Sequence, residues 1–126
     1  MLSQKRPSIR EINRRLEEAR KAIKERNVSF ANESKVVGEL YELNMSDAEE
    51  VWSLIFELLE EIKNSDYAGA HPPLKSNEPE IADCELYAFS WESIRLKRRM
   101  YLKFAIKEGF FYYVSLHKNR PPTKSR

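Results

Sequence analysis

Cysteine is almost missing from this chain: Cys84 stands alone among 126 residues. A single thiol excludes an intrachain disulfide and a cysteine-based zinc cluster, and its ordinary role is that of a small buried hydrophobe. Histidine is nearly as scarce. His71 and His117 lie too far apart to read as a metal-binding motif, so neither a metal nor another cofactor is expected. Long apolar runs are missing too. None approaches the roughly 18 to 20 residues that cross a bilayer, and Met1 to Ser8 lacks the apolar stretch of a secretory signal. A cytoplasmic protein with no membrane partner is the expectation. There is also no internal repeat and no low-complexity block.

What is present suits one globular domain spanning residues 1–126, since a single core typically serves about 100 to 150 residues. Apolar residues make up 41% and charged residues 33%. The net charge of +2 hides a segregation of sign. Residues 1–30 carry nine Lys/Arg against four Asp/Glu, residues 31–92 three against fifteen, and residues 93–126 ten against one. A concentrated basic surface attracts polyanions through counterion release even on a nearly neutral protein.

Helical periodicity dominates the first half. Ile9, Ile12, Leu16, Ala19 and Ile23 recur at spacings of three or four, and Ser8 with Glu11 has the spacing of a capping box. A second helix is predicted from about Ser34 to Leu43, burying Val36, Val37, Leu40 and Tyr41. A third is predicted from Ser46, with Glu49 at the capping-box position and a broad apolar face from Val51 to Ile62; it is the candidate to cover a sheet. From Asn64 to Ile81 neither period persists, and three prolines mark a long loop, read as a crossover or as a flap over a site. Residues 1–7 and 119–126 read as flexible tails.

After Ile81 the pattern changes to alternation. Leu96, Met100, Leu102, Phe104 and Ile106 occupy even positions, with Arg95, Lys97, Arg99, Tyr101, Lys103 and Lys107 between them. A period of two sends the sets to opposite faces of a strand. The next run places Phe110, Tyr112, Val114 and Leu116 on one side, and Phe111, Tyr113, Ser115 and His117 on the other. To bring the even positions of both runs together, a three-residue turn of Lys107, Glu108 and Gly109 is predicted. That register sets Arg99 opposite His117, Tyr101 opposite Ser115 and Lys103 opposite Tyr113. The result is a basic, aromatic patch without a carboxylate, suited to a phosphodiester: cations neutralise phosphate, rings stack on bases, and an imidazole moves a proton. The fold class expected is α+β, with about three helices packed on a C-terminal antiparallel sheet of about three strands.

The run from Met100 to Ile106 (MYLKFAI), followed by Tyr113 to His117 (YVSLH), resembles the C-terminal signature of the MqsR-type toxins, the motility quorum-sensing regulator family of bacterial toxin–antitoxin pairs. The resemblance covers about 35 residues. It implies a RelE- and YoeB-like fold, a metal-independent endoribonuclease that cleaves messenger RNA, and a cognate antitoxin, with DNA approached only through the antitoxin complex. The family's active-site tyrosine falls on Tyr101 and one of its lysines on His117, a departure, with Lys118 next to it. A family glutamine falls on Ala88, and a further lysine has no alignable counterpart. On this reading His117 is base or acid, Arg99 and Lys103 stabilise phosphate, and Tyr101 orients or stacks. Lys97, Tyr113, Ser115, Lys118 and Arg120 extend the RNA-binding track. An RNA-binding module without catalysis stays open. So does an interaction protein that docks a partner on the acidic segment from Glu39 to Glu61 or on the basic first helix.

Overall fold

The computed structural model describes residues 6–45 and 47–118. Helix α1 (Ile9–Lys24) starts at the capping box the sequence predicts: the Glu11 amide donates to Ser8 Oγ at 3.1 Å, and the Ser8 amide donates to Glu11 Oε1 at 2.9 Å. Two of the four amides orphaned at a helix start are thereby satisfied. Its stripe of Ile12, Leu16, Ala19 and Ile23 is buried, whereas Ile9 is exposed. Of the segment read as an N-terminal tail, Arg6 and Pro7 are described. Arg6 reaches Glu11 at 2.6 Å and Glu85 at 2.8 Å.

A strand that the sequence pattern does not predict follows. β1 (Val28–Phe30) is three residues long, too short to display a period, and pairs in parallel with β4 (Phe110–Lys118). Two further strands, β2 (Tyr87–Ser93) and β3 (Arg98–Lys107), complete a sheet in the order β1-β4-β3-β2. The expected α+β class with N-terminal helices on a C-terminal sheet is the one observed. The sheet has four strands, however, and is mixed through β1.

Helix α2 (Glu33–Glu42) is capped by Asn32, and α3 (Ala48–Glu61) by Asp47, whose carboxylate accepts from the Glu49 amide at 3.3 Å; Ser46, where the third helix was expected to begin, lies outside the described residues. α3 buries the face from Val51 to Leu59 as expected, with Ile62 buried at its C-cap. The Arg20 guanidinium donates to the Leu59 carbonyl at 2.8 Å, joining α1 to the negative end of α3. Trp52 stacks on Phe30 with ring centroids 4.8 Å apart and meets Phe111 edge-on. α1 also lies directly against β3 and β4, so α1 and α3 share the covering of the sheet. α2 departs from expectation: Val36 is buried and Leu40 partly so, but Val37 and Tyr41 are 69% and 83% exposed. This helix lies against β4 beyond the end of β1, and only a narrow stripe of it touches protein.

The β3–β4 register corrects the predicted turn. Lys107 pairs with Phe110, leaving a two-residue loop of Glu108 and Gly109 with φ of 51° and 82°. Two successive left-handed residues make the hairpin turn whose twist matches that of the strands, and glycine holds the second position without steric cost. Ile106 then faces Phe111, and Phe104 faces Tyr113. Phe111 and Tyr113 therefore enter the core, while Phe110 is exposed, contrary to the expected parity. The mismatch is corrected at a bulge: between the Phe104–Tyr113 and Lys103–Ser115 pairs, β4 carries the extra residue Val114. Beyond it Leu102 faces Leu116, and the even positions meet as the sequence requires.

Candidate nucleic-acid interface

One face of the sheet, formed by Tyr87, Phe89 and Trp91 of β2, Met100, Leu102 and Phe104 of β3, and Phe111, Tyr113 and Leu116 of β4, packs beneath the helices. The opposite, back face is finished in two ways. Near the β3–β4 turn, Ala105, Tyr112 and Val114 lie under Ile81, Cys84 and Leu86. The long segment after α3 supplies this cover, running beside β2 with the Ala68 amide on the Ala88 carbonyl at 2.8 Å and the Leu86 amide on the Leu74 carbonyl at 2.8 Å. Cys84 is half-buried there, a packing thiol. Further along β3 the cover stops, and Lys103, Tyr101 and Arg99 follow one another on the same side.

At this open end Tyr101 lies opposite His117, and not opposite Ser115 as predicted. Their rings stack at 5.0 Å with planes 19° apart. His117 Nδ1 is 2.7 Å from the Lys118 carbonyl. A carbonyl only accepts, so this contact puts the proton of a neutral ring on Nδ1 and leaves the Nε2 lone pair free. Burial pushes the Tyr101 phenol above the usual tyrosine range and keeps it a donor. Lys103 is held below the usual lysine range, first by burial and then by the nearby Lys35 ammonium, with Glu39 partly opposing.

Three predicted members of the patch are placed differently. Arg99 faces Glu92 across β2 with an ion pair of 3.8 Å, and its Nε donates to Ser90 Oγ at 3.2 Å, so no Arg99–His117 pair forms. Tyr113 turns to the helical face and is fully buried, its hydroxyl donating to Glu39 Oε1. Ser115 keeps a position beside Lys103 but is 3% exposed and donates to Glu39 Oε2 at 2.7 Å. Neither side chain is free to touch RNA. The physical reason is the two-residue turn and the bulge, each of which moves the register by one residue from the predicted one, together with α2, which lies on the β4 edge. Glu39 also accepts the Leu116 amide at 3.0 Å, so one carboxylate receives the donors that a neighbouring strand would otherwise take. The patch is thus not free of carboxylates.

Lys97 and Lys118 are exposed at the same end of the sheet, Lys97 in the β2–β3 turn with φ of 59° and Lys118 opposite Met100; Arg120 lies outside the described residues. Two further groups at the site carry no strand alternation that would reveal them: Lys35 and Glu39 sit one turn apart on α2, flanking the Val36–Leu40 stripe, and Glu39 is expected from the sequence only as the start of an acidic docking segment. Ala88, where the resembling family has a glutamine, lies beside Lys103 on the back face and floors a cleft of about 180 Å³. Larger concavities occur on the helical side, one of about 430 Å³ between Leu43 and Arg95. Its walls include Asp47, Glu49, Glu50 and Glu57, which repel phosphate. No group of three His, Cys, Asp or Glu side chains among the described residues is gathered as a metal site, and no helix among them is long and apolar enough to cross a membrane.

Family models, curated proteins and solved structures were all compared with the chain, and none matches.

Proposed function

We propose that the protein is a metal-independent endoribonuclease acting on single-stranded RNA, in the manner of the messenger-RNA-cleaving toxins its hairpin resembles. The observation that carries this reading is the Tyr101–His117 stack, with no hydrogen bond to Nε2 among the described residues and with Lys103 next along the same strand face. In the reaction the ribose 2′-oxygen attacks the adjacent phosphorus, and its proton passes to Nε2 of His117. The bond from phosphorus to the 5′-oxygen breaks, leaving a 2′,3′-cyclic phosphate and a 5′-hydroxyl. Lys103 stabilises the charge on the phosphorane and protonates the departing oxygen, a task helped by its weakened hold on the proton. The Tyr101 hydroxyl orients a non-bridging oxygen, and Lys35, Lys97 and Lys118 draw in the flanking backbone. Arg99, shared with Glu92, contributes less than the hairpin motif alone suggests. A nucleophilic 2′-hydroxyl restricts the substrate to RNA. On this reading the protein works in the cytoplasm and is silenced by an antitoxin, meeting DNA only through that partner.

Purified protein is expected to cleave single-stranded RNA in the presence of EDTA and to leave 2′,3′-cyclic phosphate ends. Intact RNA that is still retarded in a gel would reduce the reading to a binding module on the same face. RNA neither cut nor bound would favour the interaction protein.

A further inference from the structure

The covered and open halves of the back face meet at a step, and the step is hollow. The cleft of about 180 Å³ is walled by Ala68, Gly69, Ala70 and Leu74 of the covering segment. Its floor is Ala88, and its remaining sides are Leu86, Tyr101 and Lys103. The wall is fixed in place. Its Ala68 amide is tied to β2 at Ala88, and the Tyr67 hydroxyl donates to the Ala70 carbonyl at 2.5 Å. The Tyr67 ring stands edge-on to Phe89. A Cβ on Gly69 would come within 2.7 Å of the Tyr67 hydroxyl, so glycine lets the chain arch tightly over that ring.

We infer that this cleft is a binding subsite for one unstacked nucleobase of the RNA strand held by Lys103. Three features select that occupant. The volume is below the range of about 300 to 1,000 Å³ of pockets that bury drug-sized ligands, so one flat ring system fits and a stacked pair does not. The lining is apolar, of alanine, glycine and two leucines, apart from an aromatic ring and one ammonium, which suits a base and offers no carboxylate to a cation. Lys103 lines the cleft and the phosphate-binding surface alike, so the occupant is a group attached to the phosphodiester that Lys103 neutralises. The inference rests on the RNA reading above and adds to it that base identity is sensed beside Tyr101, by a wall from the segment that lacks sequence periodicity.

The test uses the full chain and 2′-O-methyl octanucleotides, which bind without being cut, carrying one abasic residue at each position in turn. Wild-type protein is expected to lose about tenfold in affinity at one position and little elsewhere, the size of a single lost base contact. Ala88→Leu, which fills the floor, removes that preference. Ala68→Leu does the same from an exposed position where folding is not at risk, and the melting temperature of each variant checks the fold. Equal tolerance of abasic residues at every position, or a preference that survives both substitutions, would overturn the subsite while leaving the RNA reading intact. Failure of the wild type to bind the unmodified octanucleotide at low salt would overturn both.

Discussion

Ala105 and Tyr101 stand four residues apart on the same side of the same strand, yet the first is fully buried and the second is half open. Around Ala105 the covering segment presses Ile81 onto the sheet, and the residues there are small or apolar. Around Tyr101 the same segment only walls a cleft and does not press an apolar side chain onto the sheet among the described residues, and the residues are a phenol, an imidazole and lysines. Alternation along a strand reports only which residues share a face. Whether that face is core or working surface depends on what the rest of the chain lays over it.

The largest effects are expected at the open end. His117→Ala or Tyr101→Ala is expected to lower RNA cleavage by about 100-fold or more, the size of one lost proton-transfer or orienting group, with an unchanged melting temperature. Rate and fold are read on the same preparation. Glu39→Ala attacks the bulge that aligns the two rings. It strands the buried Tyr113 hydroxyl, the Ser115 hydroxyl and the Leu116 amide, and is expected to cost on the order of 3 kcal/mol in urea denaturation, with cleavage falling as well. Ile81→Ala, which opens a cavity at the covered end, is expected to cost about 2 to 4 kcal/mol while leaving RNA affinity nearly unchanged. A large loss of affinity would show that the two ends are coupled.

Smaller effects concern charge. Because the Lys103 ammonium is held below the ordinary lysine value of 10.5, the alkaline fall of the cleavage rate is expected below that pH. Lys35→Ala removes a like charge and moves the fall to higher pH, which a pH–rate profile over the alkaline range detects. On the helical side, burial works against the Glu61 carboxylate, but hydrogen bonds from Trp91 and the Arg95 amide, both 2.8 Å, outweigh it and hold its pKa below the ordinary 4.5. A lowered folded-state pKa contributes stability above the unfolded value and loses it as pH falls through the folded one. Glu61→Gln is therefore expected to flatten the acid limb of stability below about pH 4.5, with a loss of about 1 kcal/mol at neutral pH.

Much of this architecture was legible from local pattern. The Ser8–Glu11 box, the apolar stripes of α1 and α3, and the alternation of Met100, Leu102 and Phe104 are each set by neighbours within a turn or along one strand. Tyr101, Lys103 and His117 could be assigned to one face for the same reason. β1 was not legible, because three residues carry no period and its partner strand lies some eighty residues away. The exposure of Val37 and Tyr41 was hidden as well, since an apolar residue on a helix reads as buried until the width of the contact is known.

Spacing along the chain controls which side chains point together, so the helices, the hairpin and the grouping of basic and aromatic side chains on one sheet face follow from local pattern. The stacking of Tyr101 on His117, the hold of Glu39 on Tyr113 and Ser115 and the cleft beside Lys103 arise from contacts between elements far apart in the chain. A two-residue turn and a single bulge satisfy the same parity as a three-residue turn. In the fold the residues flanking the bulge are held by the Glu39 carboxylate from α2, and no periodicity records so distant a contact.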